Sequence, residues 1–150
     1  MPGRIVTNTR ELPALARAKE PDSWRVIFQV VAPGTPAIGV EVNGVALVGR
    51  SDETSGFAPH LDLSPYGAAD SGVSRQHAIL LPSDEGLYLI DLDSTNGTWI
   101  NGQRLAPGQK YLLRSGARVE FGTLRLMVRV VGALRGGISA DGTEVIARRI

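Results

Sequence analysis

The feature that most constrains the fold is a series of short apolar runs separated by turn residues, which fills the middle of the chain (residues 24–131). The run WRVIFQVV (24–31) alternates apolar and polar residues with the period of two that is typical of a half-buried strand. Asn43-Gly44 lies between two further runs, and Asn-Gly is the strongest short-range signal for a hairpin. No stretch of this region has a helical period of useful length. Many short strands at close spacing predict an all-β sandwich or barrel.

Two other parts of the middle region follow different patterns. HAILLP (77–82) and LYLIDL (87–92) flank a polar turn and predict a second hairpin. The connection at 51–74 is long, contains one short apolar island, HLDLS (60–64), and carries acidic residues but no lysine or arginine. Connections of this length in a compact domain are usually functional, although a plain solvated loop remains an equal alternative.

Composition limits the function classes. A chain of 150 residues, 43% of them hydrophobic, is long enough for one domain with a substantial core. The formal net charge of +1 gives no field that would attract nucleic acid or an anionic membrane, so neither is expected as a partner. With no cysteine and two histidines, we expect no metal and no cofactor. No apolar run approaches the roughly 20 residues of a membrane span and no secretion signal is apparent, so a cytoplasmic location is expected.

The two ends differ from the middle. We expect residues 1–23 to be an N-terminal tail, in which 9–20 could form a short helix that begins at Thr9. The domain itself is predicted over 24–131, and 132–150 is a C-terminal extension that contains a plausible hairpin around Asp141-Gly142.

Three short segments at strand-to-loop transitions offer groups suited to an oxyanion: Gly49-Arg50, VSRQHA (73–78) and STNGTWING (94–102). Guanidinium forks match phosphate well, and hydroxyl groups add donors. An asparagine amide can bind a peptide backbone through both its C=O and its NH₂. Glycine allows a positive φ, so that loop amides can converge on an anion.

The ordered set Gly-Arg, Ser-x-x-His, Asn-Gly-Thr and Asn-Gly resembles the forkhead-associated (FHA) domain, a phosphothreonine-peptide binding module, over roughly residues 24–131. The resemblance implies a sandwich of two antiparallel sheets, about eleven strands, with the peptide held by loops at one end. It assigns phosphate binding to Arg50, Ser74, Arg75 and Thr95, and binding of the peptide backbone to Asn96. It gives a loop-structuring role to the remaining motif residues: Gly49, His77, Gly97, Thr98, Asn101 and Gly102.

The function implied by the resemblance is non-catalytic recognition of phosphothreonine peptides in kinase-dependent signalling or assembly. The partner would be a phosphothreonine-containing protein, a Ser/Thr kinase or its substrate. Some relatives carry a threonine ahead of the domain that binds the domain's own pocket once phosphorylated, and Thr7 and Thr9 are candidates for this. The acidic connection would contact residues that follow the phosphothreonine, with a preference for apolar or basic side chains rather than acidic ones.

Two alternatives belong to other classes. A phospho-independent scaffold or oligomerisation domain would keep the fold and dock partners on a sheet face. A hydrolase would use Ser74 as nucleophile and His77 as base, with Asp91 or Asp93 orienting the histidine. In an extended segment the odd offset between Ser74 and His77 places the two side chains on opposite faces, which argues against the hydrolase.

Overall fold

A computed structural model describes residues 23–134, which form two β-sheets packed face to face. The strands are β1 (Ser23–Val30), β2 (Ala37–Val42), β3 (Ala46–Gly49), β4 (Leu61–Asp62), β5 (Ala78–Pro82), β6 (Leu87–Asp91), β7 (Thr98–Ile100), β8 (Gln103–Arg104), β9 (Lys110–Leu113), β10 (Arg118–Phe121) and β11 (Leu124–Leu134). In this part of the chain the helical structure is a single 3₁₀ turn, Ser64–Tyr66. The predicted all-β sandwich of about eleven strands is confirmed.

One sheet has six strands in the order β2-β1-β11-β10-β7-β8, and the other has five in the order β4-β3-β5-β6-β9. All strand pairs are antiparallel except β3 with β4, which run parallel over two residues. The hairpin predicted from HAILLP and LYLIDL is present as β5 and β6. The sheets are therefore mostly, not entirely, antiparallel.

The core lies between the sheets and follows the alternation in the sequence. Along β1, Val26, Phe28 and Val30 are buried, and the residues between them are half-buried on the outer face. β1 pairs with β2 on one side and with β11 on the other, so that Phe28 lies between Ile38 and Val128. Burial of each such side chain stabilises the sandwich by about 1.5–3 kcal/mol.

The two Asn-Gly dipeptides connect their flanking strands in different ways. Asn101 and Gly102 have φ angles of 50° and 85° and join β7 to β8 in a two-residue hairpin, as this dipeptide favours. The hairpin predicted at Asn43-Gly44 is wrong, because β2 belongs to the six-stranded sheet and β3 to the five-stranded one. The backbone of β2 pairs with β1, whereas that of β3 pairs with β5, so the chain crosses between the sheets at this dipeptide.

The long connection at 51–74 is anchored in the core by its apolar island. Leu61 and Leu63 are both buried, and β4 pairs with β3 at the edge of the five-stranded sheet. A backbone hydrogen bond of 2.8 Å from Leu63 N to Gly49 O extends this pairing. The segment therefore lies at a fixed position beside the end of β3.

β11 extends to Leu134, where it pairs with Ser23 at the start of β1. Within residues 23–134, no helix has the length and apolar character that crossing a membrane requires. The predictions for the helix at 9–20, the hairpin around Asp141-Gly142 and the threonines Thr7 and Thr9 fall outside the described residues.

Candidate functional site

Two loops meet at one end of the sandwich, one between β4 and β5 and the other between β6 and β7. The Ser74 hydroxyl oxygen accepts a hydrogen bond of 3.2 Å from the backbone N–H of Thr95, which joins the loops at their exposed rim. Ser74 is half-buried and Thr95 is exposed. The hydroxyl proton of Ser74 remains available for a ligand because the oxygen acts here as an acceptor.

His77 joins the same two loops from inside. Its Nδ1 accepts a 2.9 Å hydrogen bond from the Ser74 backbone N–H, so the ring proton is on Nε2, which donates to Gly97 O at 2.9 Å. The ring is fully buried and lies edge-on against Phe121, with the centroids 5.4 Å apart. Burial lowers the pKa of His77, against the opposing effects of the Gly97 carbonyl and the Asp91 carboxylate. The neutral ring therefore holds Ser74 at a fixed distance from Gly97.

Asp91 organises the β6–β7 loop, a role that the motif did not assign to it. The carboxylate is 2% exposed and accepts hydrogen bonds of 2.6 Å from the hydroxyl groups of both Ser94 and Thr98, and one of 3.2 Å from Ser94 N. Burial raises the pKa of Asp91, but the bonds from Ser94 and Thr98 outweigh it and hold the pKa below its ordinary value. The sequence signal was an aspartate at the end of a strand, three residues before a serine, which is a common loop-capping pattern.

Arg50 follows β3, and a hydrogen bond to the backbone of the neighbouring loop holds its side chain in place. Its Nε donates a 2.7 Å hydrogen bond to the carbonyl oxygen of Val73, the residue before Ser74. No described residue binds the two terminal guanidinium nitrogens. Gly49 precedes Arg50 because the backbone of the neighbouring loop passes so close that a methyl group at Gly49 would overlap the carbonyl oxygen of Arg75.

Arg75 points toward the acidic connection. Its Nη1 donates to the Asp52 carboxylate at 2.7 Å, and its side chain is 58% exposed. The Thr54 hydroxyl and the Arg75 guanidinium together hold the pKa of Asp52 well below its usual range. The Asp52 carboxylate is therefore charged at neutral pH.

The remaining motif residues shape the loops. The exposed Asn96 donates from Nδ2 to Gly72 O at 2.9 Å, and Gly97 adopts a φ of 91°, which favours glycine. Asn101 accepts from Arg118 N at 2.8 Å, and this bond secures the β7–β8 hairpin.

A cavity of about 460 Å³ opens between the loops. Three of the four predicted phosphate-binding residues, Ser74, Arg75 and Thr95, line it, whereas Arg50 and Asn96 are not among its lining residues. The other lining residues are Ser55, Phe57, Gln76, Asp93 and Ser94.

The arrangement does not fit a serine hydrolase. The ring of His77 contacts the Ser74 backbone N–H rather than its hydroxyl, so the histidine is not placed to take the hydroxyl proton. Asp91 binds Ser94 and Thr98 instead of the His77 ring.

The sandwich, with its polar loops gathered at one end, defines a binding module. A model of the FHA domain matches residues 46–122, just over half of the chain, and the chain therefore belongs to the FHA domain family. FHA domains are non-catalytic binding modules.

The relatives and solved structures agree with this assignment. The chain is 43% identical over 51 residues to the E3 ubiquitin-protein ligase RNF8 of Rattus norvegicus, covering 33% of this chain and 10% of that protein. It is 33% identical over 81 residues to the oxoglutarate dehydrogenase inhibitor of Corynebacterium diphtheriae, covering 54% and 52%. These matches therefore span between a tenth and about half of the relatives' length.

Among solved structures, an FHA domain from a study of phosphothreonine-dependent FHA interactions is 26% identical, with a TM-score of 0.54, and covers 70% of this chain and 95% of that chain. The N-terminal FHA domain of Saccharomyces cerevisiae Rad53p, in complex with a phosphothreonine peptide, has a TM-score of 0.56 at 22% identity and covers 71% and 93%. At 22% identity, the likeness to the Rad53p domain shows a shared fold.

Proposed function

We propose that this chain is a reversible binding module for phosphothreonine peptides in kinase-dependent signalling or assembly. The observation that carries the proposal is the double connection between the two loops. The Ser74 hydroxyl bonds to Thr95 at the rim, and His77 bonds both Ser74 and Gly97 below it. Donors for an anion are thus held in place before any ligand arrives, which lowers the entropy cost of binding.

The donors suit a phosphate group. Ser74 and Thr95 offer hydroxyl protons beside the cavity, and Arg50 contributes the terminal nitrogens of an anchored guanidinium. A phosphate carries about −1.5 to −2 charges and three acceptor oxygens. Two or three charged hydrogen bonds, after desolvation, favour phosphothreonine over threonine by about 3–5 kcal/mol, which is hundredfold to several thousandfold.

Arg75 and Asn96 complete the proposed contact surface. One guanidinium nitrogen of Arg75 is bonded to Asp52, and the other nitrogens remain available for a phosphate oxygen. Arg75 therefore contributes less to phosphate binding than Arg50 does. Asn96 uses Nδ2 to bind Gly72 O, which leaves its carbonyl oxygen to accept a hydrogen bond from the backbone of the bound peptide.

The comparisons support the same ligand class, since FHA domains of this fold have been solved with phosphothreonine peptides. On this proposal the binding domain corresponds to residues 24–131 and acts in the cytoplasm. Its partner is a phosphothreonine-containing protein, either a Ser/Thr kinase or a kinase substrate.

A degenerate phosphothreonine peptide library, captured on the immobilised full chain, tests the function and its selectivity together. We expect capture that phosphatase treatment abolishes. We also expect enrichment of apolar or basic residues after the phosphothreonine, because Asp93 lines the cavity with Ser74 and Thr95, and Asp52 is bonded to Arg75 of the same cavity. Enrichment of Asp or Glu three residues beyond the phosphothreonine would contradict the selectivity. Capture unaffected by phosphatase would instead favour a phospho-independent scaffold.

A further inference from the structure

A second, larger concavity lies outside the cavity at Ser74 and Thr95. It is a groove of about 750 Å³ between the β1–β2 loop, the 3₁₀ turn and the β10–β11 turn. Its lining is largely apolar: Val31, Ala32, Pro36, Pro65, Tyr66 and Leu124. Val31 is 53% exposed. Contiguous exposed apolar surface of this kind marks interaction sites and ligand-binding grooves.

The β1–β2 loop, which forms one wall, is held rigidly. Val31 N donates to Arg125 O at 2.9 Å, and the Thr35 hydroxyl donates to Ala32 O at 2.7 Å. The side-chain amide of Gln29 donates to Thr35 O at 2.9 Å. The groove is therefore formed in advance, as small apolar binding sites usually are.

The groove adjoins the proposed peptide site, and three hydrogen bonds link the residues between them. Asn96 donates to Gly72 O. The preceding residue, Ser71, accepts through its carbonyl oxygen from both the backbone N–H (2.9 Å) and the hydroxyl (3.2 Å) of Thr123. Thr123 lines the groove. A peptide that lies across Asn96 thus reaches the groove without leaving the surface.

The distance between Ser74 and the groove determines which residue of a bound peptide contacts the groove. Ser74 and Ser71 are three residues apart, at most about 10 Å, and the groove begins one hydrogen bond beyond Ser71. A peptide in extended conformation advances about 3.3 Å per residue, so the near edge of the groove lies up to about four residues from the phosphothreonine, and the groove extends beyond that edge.

We propose that this groove is a second subsite, which binds a large apolar side chain of the same phosphopeptide about four to six residues from the phosphothreonine. The inference rests on the proposed function, and the bound partner is the occupant because the groove adjoins the peptide site. Arg125 is the only charged lining residue, and its Nε is already paired with Glu120 at 3.0 Å. Apolar contact therefore dominates the recognition.

The test uses the full chain and a set of synthetic peptides. A short phosphothreonine peptide of Ala, Gly and Ser is compared with extended versions that carry a single Leu at each position up to seven residues on either side. We expect Leu at one or two positions to strengthen binding about tenfold over the short peptide. The variant Val31→Asp should remove this gain and bind the short peptide as the wild type does.

Val45→Asp is the matched control, because Val45 is also 53% exposed and does not line the groove. It should keep the full gain. Equal binding of short and extended peptides to the wild type would overturn the groove proposal alone, and so would an equal loss of the gain in both variants. Failure of every phosphopeptide to bind would overturn the proposed function instead. A mass that rises with concentration in the wild type, but not in Val31→Asp, would assign the groove to a second copy of the chain and overturn the subsite.

Discussion

At the end of the sandwich where the β4–β5 and β6–β7 loops meet, the buried interior and the exposed rim differ in what their polar residues contact. In the interior, His77 and Asp91 are buried and every polar atom of both side chains is bonded to the protein itself. At the rim, Arg50, Ser74 and Thr95 are half-buried or exposed and keep hydrogen-bonding groups that face outward.

This difference separates two roles within one motif. Buried polar groups are costly to leave unpaired, so changes in the interior should lower the stability of the fold. Exposed side chains contribute little to stability, so changes at the rim should lower affinity while the fold persists. Each of the following variants affects one side of this comparison.

The largest expected effect on stability is that of Asp91→Asn. The amide keeps the size of the carboxylate but loses its charge and brings two N–H groups toward the donors of Ser94 and Thr98. We expect a loss of about 2–4 kcal/mol in the free energy of unfolding, measured by urea denaturation. Asp93→Asn, two residues along at an exposed position, should change it by less than about 0.5 kcal/mol. Equal effects of the two variants would remove the distinction between interior and rim.

A smaller effect should follow from protonation of His77. Its pKa is lowered in the folded protein, so the unfolded chain binds a proton at a higher pH than the folded one does. The stability that the neutral ring contributes is complete above the unfolded pKa of 6.5 and is lost as the pH falls through the folded value. The free energy of unfolding should therefore decline below about pH 6.5, by roughly 1.4 kcal/mol per pH unit at most.

The two histidines of the chain provide the control for this pH effect. His77→Gln should remove most of the decline between pH 6.5 and 5. His60→Gln, at an exposed position, is the matched comparison, and a decline that persists in this variant but not in His77→Gln assigns the effect to His77. A decline that persists in His77→Gln would show that another group controls it.

The smallest effects are expected at the exposed ion pair of Arg75 and Asp52. Arg75→Ala should weaken phosphopeptide binding about three- to tenfold and change the unfolding free energy by less than about 1 kcal/mol. Asp52→Asn removes the competing carboxylate and should strengthen binding by about twofold. Calorimetric titration of both variants with one phosphothreonine peptide measures these changes. If Arg75→Ala bound as the wild type does, Arg75 would belong to the solvated surface.

Much of the fold could be predicted from local sequence. The alternation of Val26 and Phe28 with polar residues and the turn at Asn101-Gly102 depend on neighbouring residues alone, and the structure agrees with both. The crossing at Asn43-Gly44 could not be predicted in this way, because β5, the antiparallel partner of β3, lies some thirty residues further along the chain.

The motif identified the rim of the site and the buried His77 and Thr98, but not the contacts of Asp91 or the pair of Asp52 with Arg75. A motif identifies Ser74, Arg75 and Thr95, and the structure places all three around one cavity. The bonds of Asp91 depend on how the β6–β7 loop turns back on β6, and the Asp52–Arg75 pair joins residues 23 apart in sequence. Such contacts follow from the tertiary fold and leave little signal in the spacing of residues.

The most direct test of the rim as the phosphate site is a titration of the wild type and Arg50→Ala with one peptide in phosphorylated and unphosphorylated forms. The wild type should bind the phosphorylated form at least about a hundredfold more tightly. Arg50→Ala should lose most of this difference, and its urea midpoint should remain close to that of the wild type, because its guanidinium makes one hydrogen bond to the protein, at Val73 O. Unchanged affinity of Arg50→Ala for the phosphorylated peptide would contradict the account.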